Sequence, residues 1–400
     1  MKFHLHAFGC KVNQYEGELI REELSRLGYQ STGFSEAELL IVKSCVVTSE
    51  SECKVARLVK SARNSGKSVW LVGCISENLR ARLSNYSVEY FETAAFRDKF
   101  GITASRISGF ASHTRAFVKI QDGCDSFCAY CIVPKLRPAL ESKVMTEAVS
   151  EVENLVKNGF REIVLTGVHL GKYGFDLGEP RYLPELIDRI SGIEDLLRLR
   201  LGSLHPQEIT PALIKAFYDH KLMPHLHISM QSGSDRVLKL MNRRYTAADI
   251  LRVVSELQNV PGMEITGDVI VGFPGETDRD FKETMAVVEA GEFAYLHVFP
   301  FSFREGTKAM DLKESALSRQ VMGERIRLIT SLRDTLFESR RRRYLGRSLP
   351  VLVEESKKGL NTGFSENYLK ICFSGQVRRN TVAMVSVSEF RMPVLYGEMK

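Results

Sequence analysis

Two periodicities alternate along the first hundred residues: short apolar runs, and stretches whose apolar positions recur three and four apart. The runs Phe3–Phe8, Leu39–Val42 and Val69–Val72 read as buried strands, and segments such as Glu16–Leu27, with Leu19, Ile20, Leu24 and Leu27 on one face, read as amphipathic helices. Strand–helix alternation predicts an open parallel α/β sheet. Each run leads into a cysteine: Gly9-Cys10, Lys43-Ser44-Cys45 and Gly73-Cys74. The loops at the carboxyl ends of parallel strands gather on one sheet edge, where ligands bind, so the pattern predicts three thiols meeting there. Three cysteines merely packed as small apolar residues are the alternative.

A second series starts at Phe117. Strands are expected at Phe117–Ile120, Glu162–Thr166, Leu197–Leu201, His225–Ser229, Glu264–Val271 and Tyr295–Phe299, with a helical stretch after nearly every one. Six such units suit a partial (β/α)6 barrel, whose functional residues also collect at the strand carboxyl ends. Beyond an arginine-rich helix the pattern shortens. Leu349–Val353, Tyr368–Phe373, Thr381–Val387 and Val394–Gly397, separated by Gly and Asn turns, predict a small β-barrel, a class that often holds oligonucleotides. The expected organisation is an N-terminal open parallel α/β sheet domain over 1–112, a central partial barrel over 113–335 and a small C-terminal β-barrel over 340–400. The fold class is α/β, and no internal repeat interrupts it.

Composition narrows the function classes. Of 400 residues 44% are hydrophobic and 26% charged, which is ordinary for packed domains and excludes extensive disorder. No apolar stretch approaches the length of a signal peptide core or a membrane span, so a cytoplasmic enzyme without a membrane partner is expected. The net charge of +6 is concentrated: Arg319–Arg347 holds nine arginines against Glu324, Asp334 and Glu338. Such a stripe suggests an anionic partner, nucleic acid first, and Arg340, Arg341, Arg342 and Arg343 are its densest part. A solvated helix face is the plainer reading.

Eight cysteines in a long chain without secretion features read as metal ligands or reactive thiols rather than a disulfide framework. Cys124, Cys128 and Cys131 form C-x3-C-x2-C in a loop directly after a strand. Closely spaced thiolates can reach three irons of a cubane cluster and leave the fourth open, where S-adenosylmethionine can bind through its amino and carboxylate groups. A structural zinc site is the alternative, but no fourth ligand lies nearby in sequence.

This spacing, with aromatic Tyr130 before the last cysteine, resembles the radical S-adenosylmethionine superfamily. Gly9-Cys10-Lys11-Val12-Asn13-Gln14-Tyr15-Glu16, Gln121-Asp122-Gly123-Cys124, Gln231-Ser232-Gly233-Ser234-Asp235 and Val271-Gly272-Phe273-Pro274-Gly275-Glu276-Thr277 narrow the resemblance to its methylthiotransferases. Lys-Val-Asn-Gln after Cys10 is similar to the branch acting on N6-threonylcarbamoyladenosine in tRNA, and the terminal β-rich piece looks like that family's TRAM module. The resemblance implies two [4Fe-4S] clusters, one on Cys10, Cys45 and Cys74 and one on Cys124, Cys128 and Cys131. It implies S-adenosylmethionine near Tyr130, Thr166, Gly167, Ser203 and Gln231, and insertion of a methylthio group at carbon 2 of the adenine. It also implies three partners: a tRNA anticodon loop, a reducing electron donor and a sulfur donor. Methylthiolation of isopentenyladenosine or of a ribosomal-protein aspartate, and a non-catalytic zinc-containing RNA-binding protein, are the alternatives.

Several residues get a bland reading. Gly272-Phe273-Pro274-Gly275 suits a tight turn. His169, His205, His225, His227 and His297 read as satisfied or exposed histidines near strand ends, and Cys53 and Cys372 as small apolar residues. The chain departs from the family where Pro138 follows Arg137 and where Lys143 follows Ser142, positions at which Gly and Arg are usual. Lysine does not reproduce a bidentate guanidinium fork. The helix reading Glu52-Cys53-Lys54-Val55-Ala56-Arg57 is likewise unlike the family's usual sequence.

Overall fold

A computed structural model describes the chain except for residues 46–48, 112–113, 179–181, 220 and 358. The expected boundary between 112 and 113 therefore lies outside the described residues. The N-terminal unit runs β1 (Lys2–Ala7), α1 (Lys11–Arg26), β2 (Gln30–Ser31), β3 (Leu39–Ser44), α2 (Ser49–Asn64), β4 (Ser68–Gly73), α3 (Glu77–Arg82), β5 (Glu89–Phe91) and α4 (Thr93–Lys99). Its five strands form one parallel sheet in the order β2-β1-β3-β4-β5. β3 is buried along its whole length, which is why Leu39–Val42 reads as a continuous apolar run rather than an alternating one. Helix α1 begins five residues earlier than its apolar stripe suggests, because Cys10 already stands at its N-cap.

The central unit contains β6 (Arg115–Asp122), α5 (Val133–Leu136), β7 (Glu141–Ser142), α6 (Met145–Lys157), β8 (Glu162–Gly167), α7 (Tyr182–Ser191), β9 (Arg198–Leu201), α8 (Pro211–Asp219), β10 (His225–Gln231), α9 (Asp235–Leu240), α10 (Ala247–Gln258), β11 (Glu264–Val271), α11 (Asp278–Ala290), β12 (Tyr295–Pro300) and α12 (Arg319–Arg342). The six long strands run parallel in two segments, β6-β8-β9 and β10-β11-β12, joined by isolated bridges at Leu199–Leu222 and Leu204–Ile228. Antiparallel β7 pairs with β6 outside the series. Tyr15 and Leu19 of α1 belong to the same apolar core as β6, β8 and β9, so the first two units share an interior.

The C-terminal strands β13 (Ser348–Lys357), β14 (Leu360–Ser365), β15 (Lys370–Ser374), β16 (Val382–Arg391) and β17 (Val394–Met399) close a barrel in the order β13-β14-β15-β17-β16. Sequence patterning misses β14, whose Asn361, Thr362 and Gly363 resemble a turn. Gly363 is needed there because a Cβ would meet the Leu352 carbonyl across the pair.

This barrel docks under the amino ends of the central strands. Arg198 donates to the carbonyls of Phe364 and Pro350, both at 2.8 Å, and Arg200 donates to those of Glu366 (2.7 Å) and Ser365 (2.8 Å). Arg115 pairs with Glu354 and donates to the Tyr368 hydroxyl at 2.6 Å. Tyr368, in a left-handed turn, lies between Phe364, His225 and the guanidinium groups of Arg115 and Arg200.

The basic helix corrects one expectation. Helix α12 runs unbroken through the expected 335–340 boundary, and Arg340 and Arg341 are only 9% and 8% exposed. Both pair with Glu264 at the start of β11, at 3.4 and 3.2 Å, and the Tyr344 hydroxyl donates to the same carboxylate at 2.7 Å. A buried guanidinium needs such a partner, and this one ties them to the barrel floor instead of presenting them to RNA. Arg342 and Arg343 remain exposed, paired with Glu338 and Glu292. Glu264→Ala is expected to destabilise the protein by about 3 kcal/mol or more. Arg342→Ala, which breaks an exposed pair one turn along the helix, should cost no more than about 0.5 kcal/mol. Thermal unfolding followed by circular dichroism separates the two.

Candidate functional site

Strand register brings the first three thiols to one edge. Ala7 pairs with Lys43, and Ser44 pairs with Gly73, so Cys45 and Cys74 each follow register partners. The chain after β1 turns toward them: the Phe8 N–H donates to the Lys43 carbonyl at 3.0 Å, and Gly9 adopts φ +88°. A Cβ on Gly9 would stand 2.6 Å from Cys45 Sγ, so only glycine lets the Cys10 turn lie against that sulfur. Side chains fasten the three loops. Asn13 Nδ2 donates to the carbonyls of Phe8 (2.9 Å) and Ser44 (2.8 Å), and Ser44 Oγ donates to that of Cys74 at 2.5 Å. Cys10 is exposed, Cys45 buried and Cys74 half-buried.

The second set sits in the loop after β6. The Cys124 N–H donates to the Arg137 carbonyl (3.1 Å), Ala129 N–H to Met241 (3.0 Å) and Cys131 N–H to Cys128 (3.0 Å), while Phe127 takes a left-handed conformation with its ring in solvent. Such a backbone persists only when its surroundings hold it. Cys124 Sγ lies 3.5 Å from His169 Nδ1, and the other ring nitrogen of His169 faces the Glu208 carboxylate. Burial opposes ionisation of Cys124, but the His169 contact and the Ser126 N–H outweigh it and hold the thiol below its usual range. For Cys131 the Val133 N–H and Arg243 do not offset burial, which pushes the thiol up to about 12. His169, despite burial, is held up at about 9 by Cys124 and Glu208. Burial and Arg243 push His205 down to about 3.

Arg243 donates to the Tyr130 hydroxyl at 2.5 Å and contacts His205 Nε2 at 2.8 Å. Its Nε is buried without an acceptor among the described residues, as are Nε and Nη2 of Arg304. Three thiols from one loop, with the Arg243 guanidinium beside Cys128, suit an anionic iron–sulfur cluster, and its unpartnered Nε suits a carboxylate-bearing cofactor beside it.

The other expected site residues stand at or just past the carboxyl ends of the barrel strands. Thr166 is buried at the end of β8. Gly167 packs against Gln121, where a Cβ would stand 2.9 Å from Gln121 Oε1, the atom that accepts the His169 N–H at 2.7 Å. Ser203 is exposed after β9, and Gln231 ends β10 buried and left-handed. Gly272-Phe273-Pro274-Gly275 is the expected turn: the Gly272 N–H donates to Glu276, which pairs with Arg325 of α12. His225 begins β10 at the opposite end, so it is not a mouth residue. Cys53 lies in α2 near Arg82, and Cys372 in β15 near Thr362.

Sequence reasoning missed what joins the two thiol sets. Glu16, on α1, is buried and receives Lys43 of β3 at 2.7 Å, Lys119 of β6 at 2.8 Å and Arg137 at 2.8 Å, and the last two also pair with Asp122. Burial opposes its charge, yet Lys43, Lys119 and Arg137 outweigh that and hold its carboxyl well below the usual range. A cavity of about 510 Å³ beside it is lined by Cys74, Arg80, Arg97, Lys135 and Arg137. Lys143, one of the departures from the family, pairs with buried Glu151 and donates to the Tyr15 hydroxyl at 3.0 Å. Its anion is therefore a carboxylate of this chain.

Residues 118–288 match the radical SAM superfamily, and residues 2–91 match the uncharacterized protein family UPF0004. The chain is 38% identical to the threonylcarbamoyladenosine tRNA methylthiotransferase MtaB of Thermotoga maritima, covering 93% of this chain and 91% of that one. It is 30% identical to the tRNA-2-methylthio-N(6)-dimethylallyladenosine synthase of Fervidobacterium nodosum, covering 100% and 99%. Among solved structures, the radical S-adenosylmethionine methyltransferase TsrM of Kitasatospora setae superposes with a TM-score of 0.54 at 13% identity, covering 75% of this chain and 74% of that one, a likeness of fold.

Glu16→Gln is expected to leave Lys43 without a carboxylate and Lys119 and Arg137 with Asp122 alone, and to destabilise the protein by about 3–5 kcal/mol. Because the Glu16 carboxyl is held down in the folded state, its contribution is complete above the ordinary carboxylate value of 4.5 and is lost as pH falls through the lower folded value. Unfolding temperatures of the two proteins, measured from neutral pH downward, should therefore converge below about pH 4.5.

Proposed function

The chain belongs to the radical S-adenosylmethionine tRNA methylthiotransferase family, and from that membership we propose that it inserts a methylthio group at carbon 2 of N6-threonylcarbamoyladenosine next to the anticodon of tRNA. The observation that carries this reading is the pair of three-thiol sets, at the edges of two different sheets, held to one buried carboxylate. The threonylcarbamoyl substrate is supported by the 38% relative, against 30% for the dimethylallyl one, and by Lys-Val-Asn-Gln after Cys10.

Cys10, Cys45 and Cys74 are assigned one [4Fe-4S] cluster, and Cys124, Cys128 and Cys131 the other. With S-adenosylmethionine bound at its open iron, such a cluster supplies a radical able to take hydrogen from an aromatic C–H bond that offers neither an acidic proton nor a leaving group. The protein supplies geometry. Arg243 holds the Tyr130 hydroxyl and brings positive charge to Cys128. Thr166, Gly167, Ser203 and Gln231, at the carboxyl ends of three barrel strands, are assigned the cofactor's methionine part. Glu16 fixes the second thiol edge against the first. The C-terminal barrel, with Arg342 and Arg343 exposed at its junction, is assigned the anticodon arm, since RNA is read mostly where bases are unpaired. The reaction also needs an electron donor and a sulfur donor. Among the described residues no helix is long and apolar enough to cross a membrane.

Protein purified and reconstituted without oxygen should contain about eight irons and eight acid-labile sulfides, halved when either cysteine set is changed to alanine. Nucleosides from a deletion strain, analysed by mass spectrometry, should lack 2-methylthio-N6-threonylcarbamoyladenosine and regain it with the wild-type gene. Zinc without sulfide would overturn the enzymatic reading, and loss of the dimethylallyl product instead would move the substrate.

A further inference from the structure

The loop that carries Cys124 and the loop after β8 are bound by one side-chain amide. Gln121 Oε1 accepts the His169 N–H at 2.7 Å, and Gln121 Nε2 donates to the Gly123 carbonyl at 2.8 Å, directly before Cys124. His169 is thereby set, buried, beside the first thiol of the loop. Its Nδ1 lies 3.5 Å from Cys124 Sγ and 3.3 Å from Ser126 Oγ, and its Nε2 meets the carboxylate of Glu208, from the loop after β9. Glu208 is held in turn. It accepts the His205 N–H at 2.9 Å and lies so close over Gly171 that a Cβ there would overlap its carboxylate.

Holding the loop does not require this pair, because main-chain bonds from Cys124 to Arg137 and from Ala129 to Met241 already tie it down. What the pair adds is a donor aimed at sulfur. A cysteine that ligates iron is a thiolate, which only accepts, and an ionised carboxylate only accepts. An imidazole placed between those two acceptors donates from both nitrogens. The Ser126 hydroxyl can give or take a proton and so imposes no choice on the ring.

We propose that His169, oriented by Glu208, is a positioning residue that donates a hydrogen bond to the Cys124 sulfur of the cluster and thereby raises its reduction potential. The inference rests on the cluster assigned above to Cys124, Cys128 and Cys131. Radical formation begins when that cluster takes one electron from a low-potential carrier, which is oxidised by one electron, with no bond made or broken. The added negative charge is shared by the sulfurs, so a donor aimed at one of them stabilises the reduced state more than the oxidised one. Glu208 fixes the plane and tautomer of the ring, as a carboxylate does behind a metal-bound imidazole.

The test uses full-length protein reconstituted without oxygen, with Cys10, Cys45 and Cys74 changed to alanine so that one cluster remains. Its reduced signal is followed by electron paramagnetic resonance across a series of poised potentials. His169→Leu should lower the midpoint, cutting the reduced-to-oxidised ratio at a fixed potential roughly tenfold, equivalent to about 59 mV for one electron. His169→Asn, which keeps an N–H near the place of Nδ1, should recover most of that loss, and Glu208→Gln should fall between. Iron and sulfide content should match the parent in all three. With Cys124, Cys128 and Cys131 changed to alanine instead, His169→Leu should leave the midpoint of the other cluster where it was. An unmoved midpoint in His169→Leu overturns the proposal, as does an asparagine variant no better than the leucine one or an equal shift at the other cluster. Should His169→Leu lose iron, Glu208→Gln decides: a lowered midpoint supports the proposal, and an unmoved one or a loss of iron overturns it. Parent protein that holds zinc without sulfide overturns the cluster assignment itself, and the role of His169 with it.

Discussion

A charge buried in protein must be answered within a few ångströms, and Glu16 is answered from three directions. Lys43 reaches it from the strand that leads into Cys45, Lys119 from the strand that leads into Cys124, and Arg137 from the segment whose carbonyl accepts the Cys124 N–H. No one domain supplies enough cations to make that carboxylate tolerable. Removing any contributor leaves the others uncompensated, which is costlier than never having assembled them. Two sheets that fold on their own registers are thereby brought to a fixed separation. Lys143 repeats the device at Glu151 with help from Tyr15 of the same helix, so α1 is pinned to the barrel along its length.

The opposite end of the barrel obeys the same rule with different partners. Strands β6, β8, β9 and β11 begin with Arg115, Glu162, Arg198 and Glu264, charges too close to the interior to be left to water. The C-terminal barrel and the end of α12 complete them. The molecule is thus a stack of three units joined by buried ion pairs, with its thiols and polar mouth at one end of the central strands and its C-terminal barrel at the other.

Much of this was legible from residues. The strands ahead of Cys45 and Cys74 show in their apolar runs, since strands covered on both faces leave no polar alternation to confuse the reading, and the half-covered strand ahead of Cys10 shows by its alternation of Phe3, His4, Leu5 and His6. The loop from Cys124 to Cys131 shows by spacing alone. Hidden were features that depend on partners distant in sequence. Glu16 looks like any helix-surface carboxylate until β6 is placed beside α1. Arg340 and Arg341 look like half of a basic stripe because neither periodicity nor composition reveals that Glu264 waits beneath them. β14 was hidden for a local reason, its glycine being selected by close approach to a neighbouring carbonyl rather than by a turn. His169 and Glu208 left a faint signal: two polar residues just past consecutive barrel strands.

The floor contacts carry an evolutionary consequence. Arg198 and Arg200 grip the C-terminal barrel by four main-chain carbonyls, those of Pro350, Phe364, Ser365 and Glu366. A carbonyl is the same whatever side chain its residue bears. Mutations along this edge of the terminal barrel can therefore accumulate without a matching change in the arginines, provided the backbone path survives. Correlated-substitution methods, which infer proximity from paired changes, would be nearly blind to these four contacts and would see the junction chiefly through Arg115, Glu354 and Tyr368. The terminal barrel's outer surface is free to drift toward new partners while its seat stays constant.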